Sequence, residues 1–271
     1  MSPQRAFPDR DHLSVLTALV IITYTLLRVI VLPSLRLDIS IVGIFLEINI
    51  DTQFIMLVLS AMLTATGADW LIRTHPAYQP GIPTQKHLII PGMAALGAGA
   101  ILTGIPEGII LWLALPLSSL VLMAVLVAEY VAFDPADRRR ERVVISLTGL
   151  TYILLLGILY TLQAAGLRAV YGVPISFLAV SAAAWRLLSL TNPRKLVFPY
   201  GIGIGICAAE LVWAFHYWPF APLESALFVS IAVYAGETLI DSVLKKQLNR
   251  SRWIELAVVT SIALAAVVFF T

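Results

Sequence analysis

Charge is scarce in this chain of 271 residues. Only 13% of them are Asp, Glu, Lys or Arg, while 59% are hydrophobic and the mean hydropathy is +0.91. Soluble domains carry roughly a quarter charged residues, so the composition is that of an integral membrane protein. Polar stretches are short as well. The longest connection runs from Arg73 to His87, which leaves no room for a separately folded nucleotide-binding or hydrolase domain. Cysteine is limited to Cys207, inside an apolar run. An intrachain disulfide and a Cys-rich metal motif are therefore excluded, and redox chemistry is not expected.

What the sequence does have is apolar runs of about 20 residues, the length a helix needs to cross a hydrocarbon core of about 30 Å. Read against Pro, Gly and charge clusters, they give nine spans: roughly Leu13–Pro33, Thr52–Ile72, Leu88–Gly104, Gly108–Phe133, Val143–Ala164, Val173–Leu190, Leu196–His216, Leu223–Leu244 and Trp253–Thr271. The first is too long for a signal-peptide core of 7–15 residues and lacks a small-residue cleavage site, so it reads as a retained helix. The expected fold is all-α, one polytopic membrane domain over residues 1–271. Lys and Arg then fix its orientation. Arg5, Arg10, Arg73, Lys86, Arg138, Arg139, Arg140, Arg142, Arg194, Lys195, Lys245, Lys246, Arg250 and Arg252 all fall in one alternate set of connections, 14 of the 18 basic residues. The opposite set holds Arg36 and Arg168, and Arg28 and Arg186 lie within spans. Cytoplasmic loops carry the basic excess. The N-terminus is expected inside and the C-terminus outside, in the cytoplasmic (inner) membrane.

Between the first two spans the pattern changes to period two. Leu35, Leu37, Ile39 and Ile41 alternate with Arg36, Asp38 and Ser40; after Val42-Gly43, Ile44, Leu46, Ile48 and Ile50 alternate with Phe45, Glu47, Asn49 and Asp51. Alternation on both sides of a glycine predicts a β-hairpin over residues 35–51. Open sheet edges are not tolerated in hydrocarbon, which puts it at the outer surface.

Several polar residues have a local explanation. Pro106-Glu107 and Pro222-Leu223-Glu224 read as helix starts, with an acid near the positive end of the dipole. Asp134-Pro135 and Asn192-Pro193 read as N-caps. The run Gly201-Ile202-Gly203-Ile204-Gly205 lacks the strand that a dinucleotide fingerprint requires. Gly201 and Gly205, four apart, instead predict a close helix–helix contact. Trp213, Tyr217, Trp218 and Phe220 suit an interfacial belt.

A second set is not so easily explained. Asp69, Arg73, His75, Glu129, Arg186, Glu237 and Asp241 all fall near the cytoplasmic ends of spans and form a candidate polar site. Glu237 and Asp241, one helical turn apart, repel each other and need a cation, a shared proton or an arginine; Arg186 is a candidate if the sixth and eighth helices are adjacent. Glu210, inside the seventh span, is a candidate intramembrane charge.

The first span, the hairpin and a second span ending "ADWLIRTHP" resemble an uncharacterised bacterial family of multi-pass membrane proteins known as a domain of unknown function. That resemblance implies the fold and no activity. Nine spans with the N-terminus inside are also similar to the UbiA-type prenyltransferases, but that family's Asp-rich motifs are not reproduced by Asp69, Glu237 and Asp241, and the assignment is not adopted. Three readings stay open. A non-catalytic scaffold, accessory or assembly component needs only the packing features and the hairpin. A lipid- or isoprenoid-processing enzyme would use the polar site, with carboxylates on a divalent metal and Arg73 or Arg186 on phosphate. A small-solute or ion transporter would use Glu210. The expected partners are the bilayer and a lipid or membrane protein, and no nucleic acid; the sequence assigns no catalytic residue, cofactor or metal.

Overall fold

The computed structural model describes residues 8, 10–29, 33, 35–41, 44–193, 195–247, 250, 253–254, 257–262 and 265. Its elements are α1 (Arg10–Val29), β1 (Leu35–Ile41), β2 (Ile44–Ile50), α2 (Thr52–Arg73), a 3₁₀ turn (Gln85–His87), α3 (Ile89–Gly104), α4 (Ile109–Phe133), α5 (Arg140–Ala164), α6 (Ala169–Thr191), α7 (Phe198–His216) and α8 (Pro222–Leu244). Among the described residues, seven helical segments are long and apolar enough to cross a membrane, namely α2 to α8 with the 3₁₀ turn counted into α3. The chain is an all-α multi-pass membrane protein. The count of seven falls short of the expected nine for two reasons. Of α1 only Asp11–Leu26 is described in full, and most of the ninth run, residues 253–271, lies outside the described residues.

The chain divides into two compact units, Met1–Val143 and Val144–Thr271. In the first unit α2 packs on α1 and α3, and α4 packs on α1, α2 and α3. Its core gathers Leu13, Ala68, Leu71, Leu126 and Tyr130. Lipid is as apolar as these side chains, so they gain by close packing rather than by leaving water. Small residues allow that approach. A Cβ at Gly99 of α3 would lie 2.4 Å from Leu57 and 3.0 Å from Tyr24, and the Tyr24 hydroxyl donates to the Ala95 carbonyl at 2.7 Å. Hydroxyls inside helices are satisfied by the preceding turn, as Thr64 is by the Ser60 carbonyl at 2.7 Å. They need no ligand.

In the second unit the most extensive contact is α6 on α7, and α8 packs on both. The expected glycine contact is present. A Cβ at Gly201 would stand 2.8 Å from the Trp185 backbone N, and one at Gly205 would stand 3.0 Å from the Phe177 carbonyl. At the end of α7, Trp213 and, just beyond the helix, Tyr217 and Trp218 are exposed, as an interfacial belt requires.

β1 and β2 pair antiparallel with Leu35 opposite Ile50, Leu37 opposite Ile48, Ile39 opposite Leu46 and Ile41 opposite Ile44. The apolar sets of the two arms are therefore in register, as the alternation predicts. The turn at Val42-Gly43 lies outside the described residues. Asp51 ends the hairpin by capping α2, accepting from the Phe54 backbone N–H at 2.7 Å.

Three of the expected helix starts need correction. α4 begins at Ile109, so Glu107 precedes it and is not in its first turn. Asp134 follows the end of α4 and accepts from the Ala136 N–H at 2.9 Å, while α5 starts at Arg140, inside the basic stretch. Asn192 is the C-cap of α6, its N–H donating to the Leu188 carbonyl. Asx-Pro stops the preceding helix in both cases, because proline disfavours a helical residue before it. Glu224 behaves as expected and accepts from the Ala221 N–H at 3.1 Å.

Candidate functional site

In the first unit, α2 carries Asp69 and Arg73 on one face, since residues four apart lie one above the other. Arg73 Nε donates to Asp69 Oδ2 at 2.7 Å. The other carboxylate oxygen accepts from the Thr84 hydroxyl, brought back by the 74–84 connection. Asp69 is thus held on both oxygens, and it holds the guanidinium by its Nε edge. These residues border an open groove of about 600 Å³ between the α2 face and the returning connection.

A turn further along, His75 is buried at 6% exposure. Its Nδ1 accepts from the Ala77 N–H at 3.0 Å, and its ring lies 4.4 Å from Tyr130 and 5.4 Å from Phe133. Burial pushes its pKa down from the ordinary histidine range, against a weaker upward pull from Asp134 and Asp137. Asp137 is itself held below the usual carboxylate range by its hydrogen bonds from Arg139, whose Nη2 donates at 2.7 Å.

Glu129, 1% exposed, pairs with His87 rather than with His75. His87 Nδ1 lies 2.9 Å from Glu129 Oε2, and His87 is itself only 4% exposed. The His87 ring also packs on Phe133 at 5.4 Å. One phenylalanine at the end of α4 thereby separates and seats both histidines.

In the second unit Glu237 of α8 is buried and accepts a hydrogen bond from the Tyr152 hydroxyl of α5 at 2.6 Å. Its other oxygen, Oε1, is buried without a hydrogen bond. Asp241, one turn on, accepts from Asn192 Nδ2 and from Lys245 Nζ, each at 2.7 Å. The two carboxylates therefore have separate donors, a phenol for Glu237 and an amide plus an ammonium for Asp241. Arg186 is 1% exposed in α6, and Glu210 is exposed on α7. The side chain of Arg28 lies outside the described residues.

The seven residues of the candidate polar site thus divide between the units: Asp69, Arg73, His75 and Glu129 in the first, Arg186, Glu237 and Asp241 in the second. Sequence reasoning does not single out Thr84, His87, Tyr152 or Asn192 as their partners. Among the described residues no three His, Cys, Asp or Glu side chains are grouped closely enough to share a metal ion.

Comparison with known proteins finds no match among curated proteins and none among solved structures. The family described as "Protein of unknown function (DUF5656)" matches residues 32–270, a stretch that takes in the hairpin, α2 to α8 and every residue of the candidate site; the chain belongs to that family.

Proposed function

We propose that the chain is a non-catalytic scaffold, accessory or assembly component of a cytoplasmic (inner) membrane, threading it nine times as a single polytopic domain. Its N-terminus is inside, and the C-terminus and the β1–β2 hairpin are outside. The observation that carries this reading is how the acids are held. Asp69, Glu129, Glu237 and Asp241 each meet a donor on a neighbouring element. That is how ionisable groups are retained as interhelical links inside a membrane.

The double variant E237Q/D241N tests it. Each new amide keeps an oxygen that can accept from Tyr152 or Asn192, and only the partly exposed Lys245 pair is lost, which is worth about 0.2–1 kcal/mol. Unfolding stability in detergent is therefore expected to fall by no more than about 1 kcal/mol, and the proteins that co-purify with the chain in native lipid discs are expected to stay. A folded double variant that has shed a bound metal or phosphorylated lipid would show these carboxylates to be a working site.

The topology rests on the basic-residue asymmetry. In a background lacking Cys207, an impermeant maleimide applied to intact cells is expected to label cysteine placed at Glu107 or Ala221 and to leave one at Ala136 unmodified. Labelling at Ala136 would invert the map.

A further inference from the structure

We infer that the groove beside α2 binds a membrane phospholipid, with the phosphodiester on Arg73 and an acyl chain along the α2 face. On α2 the groove is bordered by Met62, Ala65, Thr66, Asp69 and Arg73. Spacings of three and four residues put these on one helix face. The eleven steps from Met62 to Arg73 span about 16 Å at 1.5 Å per residue, enough for most of an acyl chain lying parallel to the helix. The wall is apolar and half open at its Met62 end, where Met62 itself is 63% exposed. It turns polar at the Arg73 end, where Tyr78 and Gln85 face the same space. Trp70, 42% exposed, sits at the level of Asp69 and Arg73. Tryptophan gathers at the headgroup boundary of a bilayer, so the polar end of the groove lies at headgroup depth and the apolar end among lipid tails.

The arginine is arranged for an anion. Thr84 fixes one oxygen of Asp69, and the other fixes Arg73 through Nε. Arg73 makes no other hydrogen bond among the described residues. Asp69 therefore engages the guanidinium through Nε, and the two terminal nitrogens make no hydrogen bond among the described residues, on a side chain that is 56% exposed. Paired terminal N–H groups match two phosphate oxygens, a geometry that lysine cannot supply. At the mouth of the groove, Gly81 adopts φ +98° with open space around it. That left-handed conformation turns the connection back over the groove without a side chain in the way. This site does not depend on the scaffold reading: it uses Arg73 and Thr84, whereas that reading is tested at Glu237 and Asp241.

The test is native mass spectrometry of the full chain, delipidated in detergent and titrated with phosphatidylglycerol. Wild type is expected to retain one lipid in preference to further ones. R73K keeps the charge but not the fork, and is expected to weaken that first binding about tenfold; R73A is expected to abolish it. T84V removes only the bond that positions Asp69, and a loss of about threefold to fivefold is expected, corresponding to one hydrogen bond of about 1 kcal/mol. Arg73 is exposed at a helix end, so thermal unfolding of R73K and R73A should match wild type and separate lost binding from lost fold. Inorganic phosphate and glycerol 3-phosphate at millimolar concentration are expected not to displace the lipid. Displacement by either would assign the site to a soluble phosphate and overturn the lipid reading, and first-lipid affinity unchanged in R73A would overturn the site itself.

Discussion

Valine at Gly201 is expected to lower the unfolding free energy by about 3 kcal/mol, the upper end of ordinary overpacking. Alanine there is expected to cost about 1–2 kcal/mol. The reason is what the added carbon meets. At Gly201 its three nearest neighbours are all backbone atoms of α6: Trp185 N at 2.8 Å, the Ser181 carbonyl at 3.0 Å and Trp185 Cα at 3.0 Å. No rotamer change relieves them, so α6 and α7 must separate. Association of the two helices in lipid relies on such contact, because no hydrophobic effect pulls them together again. Other glycines grade the effect. At Gly67 the nearest atoms are the Leu16 methyls, at 2.5 and 3.0 Å, on a side chain that can rotate, so G67A is expected to cost less than G201A. At Gly157 nothing lies within 4 Å, and G157A is expected to be neutral or stabilising, by up to the helix-propensity gain of about 1 kcal/mol. Unfolding by sodium dodecyl sulfate in mixed micelles measures all three. Equal losses at Gly201 and Gly157 would mean that backbone proximity is not what these glycines provide.

That contact was legible in the sequence because glycines four apart in an apolar run have few other uses. The helix map was legible for a related reason: crossing a bilayer demands a long apolar run, and α2 to α8 match the corresponding expected spans to within four residues at each end. The hairpin was legible because apolar residues alternate on both sides of Val42-Gly43, and arms that meet across those two residues pair apolar with apolar. The polar partners were not. Thr84 is 15 residues from Asp69, His87 is 42 from Glu129, Asn192 is 49 from Asp241 and Tyr152 is 85 from Glu237. Periodicity reports the face a residue occupies and nothing about which distant donor faces it. Asn192 shows the cost most directly. Read as the start of a helix from its proline, it ends α6 instead, and its side chain reaches α8. The acids thus stood out as unexplained charges while the neutral groups that explain them did not.

The largest loss is expected at the buried His87–Glu129 pair. Both side chains are at or below 5% exposure and 2.9 Å apart, so replacing either one removes from the other a buried contact that water cannot replace. Breaking a buried pair from one side costs about 3–5 kcal/mol, whereas replacing both members by apolar residues of similar volume is often close to neutral. E129M and H87F are each expected to fall in that range. The double variant H87F/E129M is expected to be more stable than either single one, because both polar members of the pair are replaced together, and a phenylalanine at position 87 can keep the ring contact with Phe133. Mixed-micelle unfolding of the four proteins closes the cycle, and a coupling of about 1–3 kcal/mol is expected for groups in direct contact. If the two single losses simply add, with a coupling below about 0.5 kcal/mol, the carboxylate and the imidazole are not acting on each other. Each would then be held by the rest of its surroundings, and the pair would no longer be what joins the turn ahead of α3 to the end of α4.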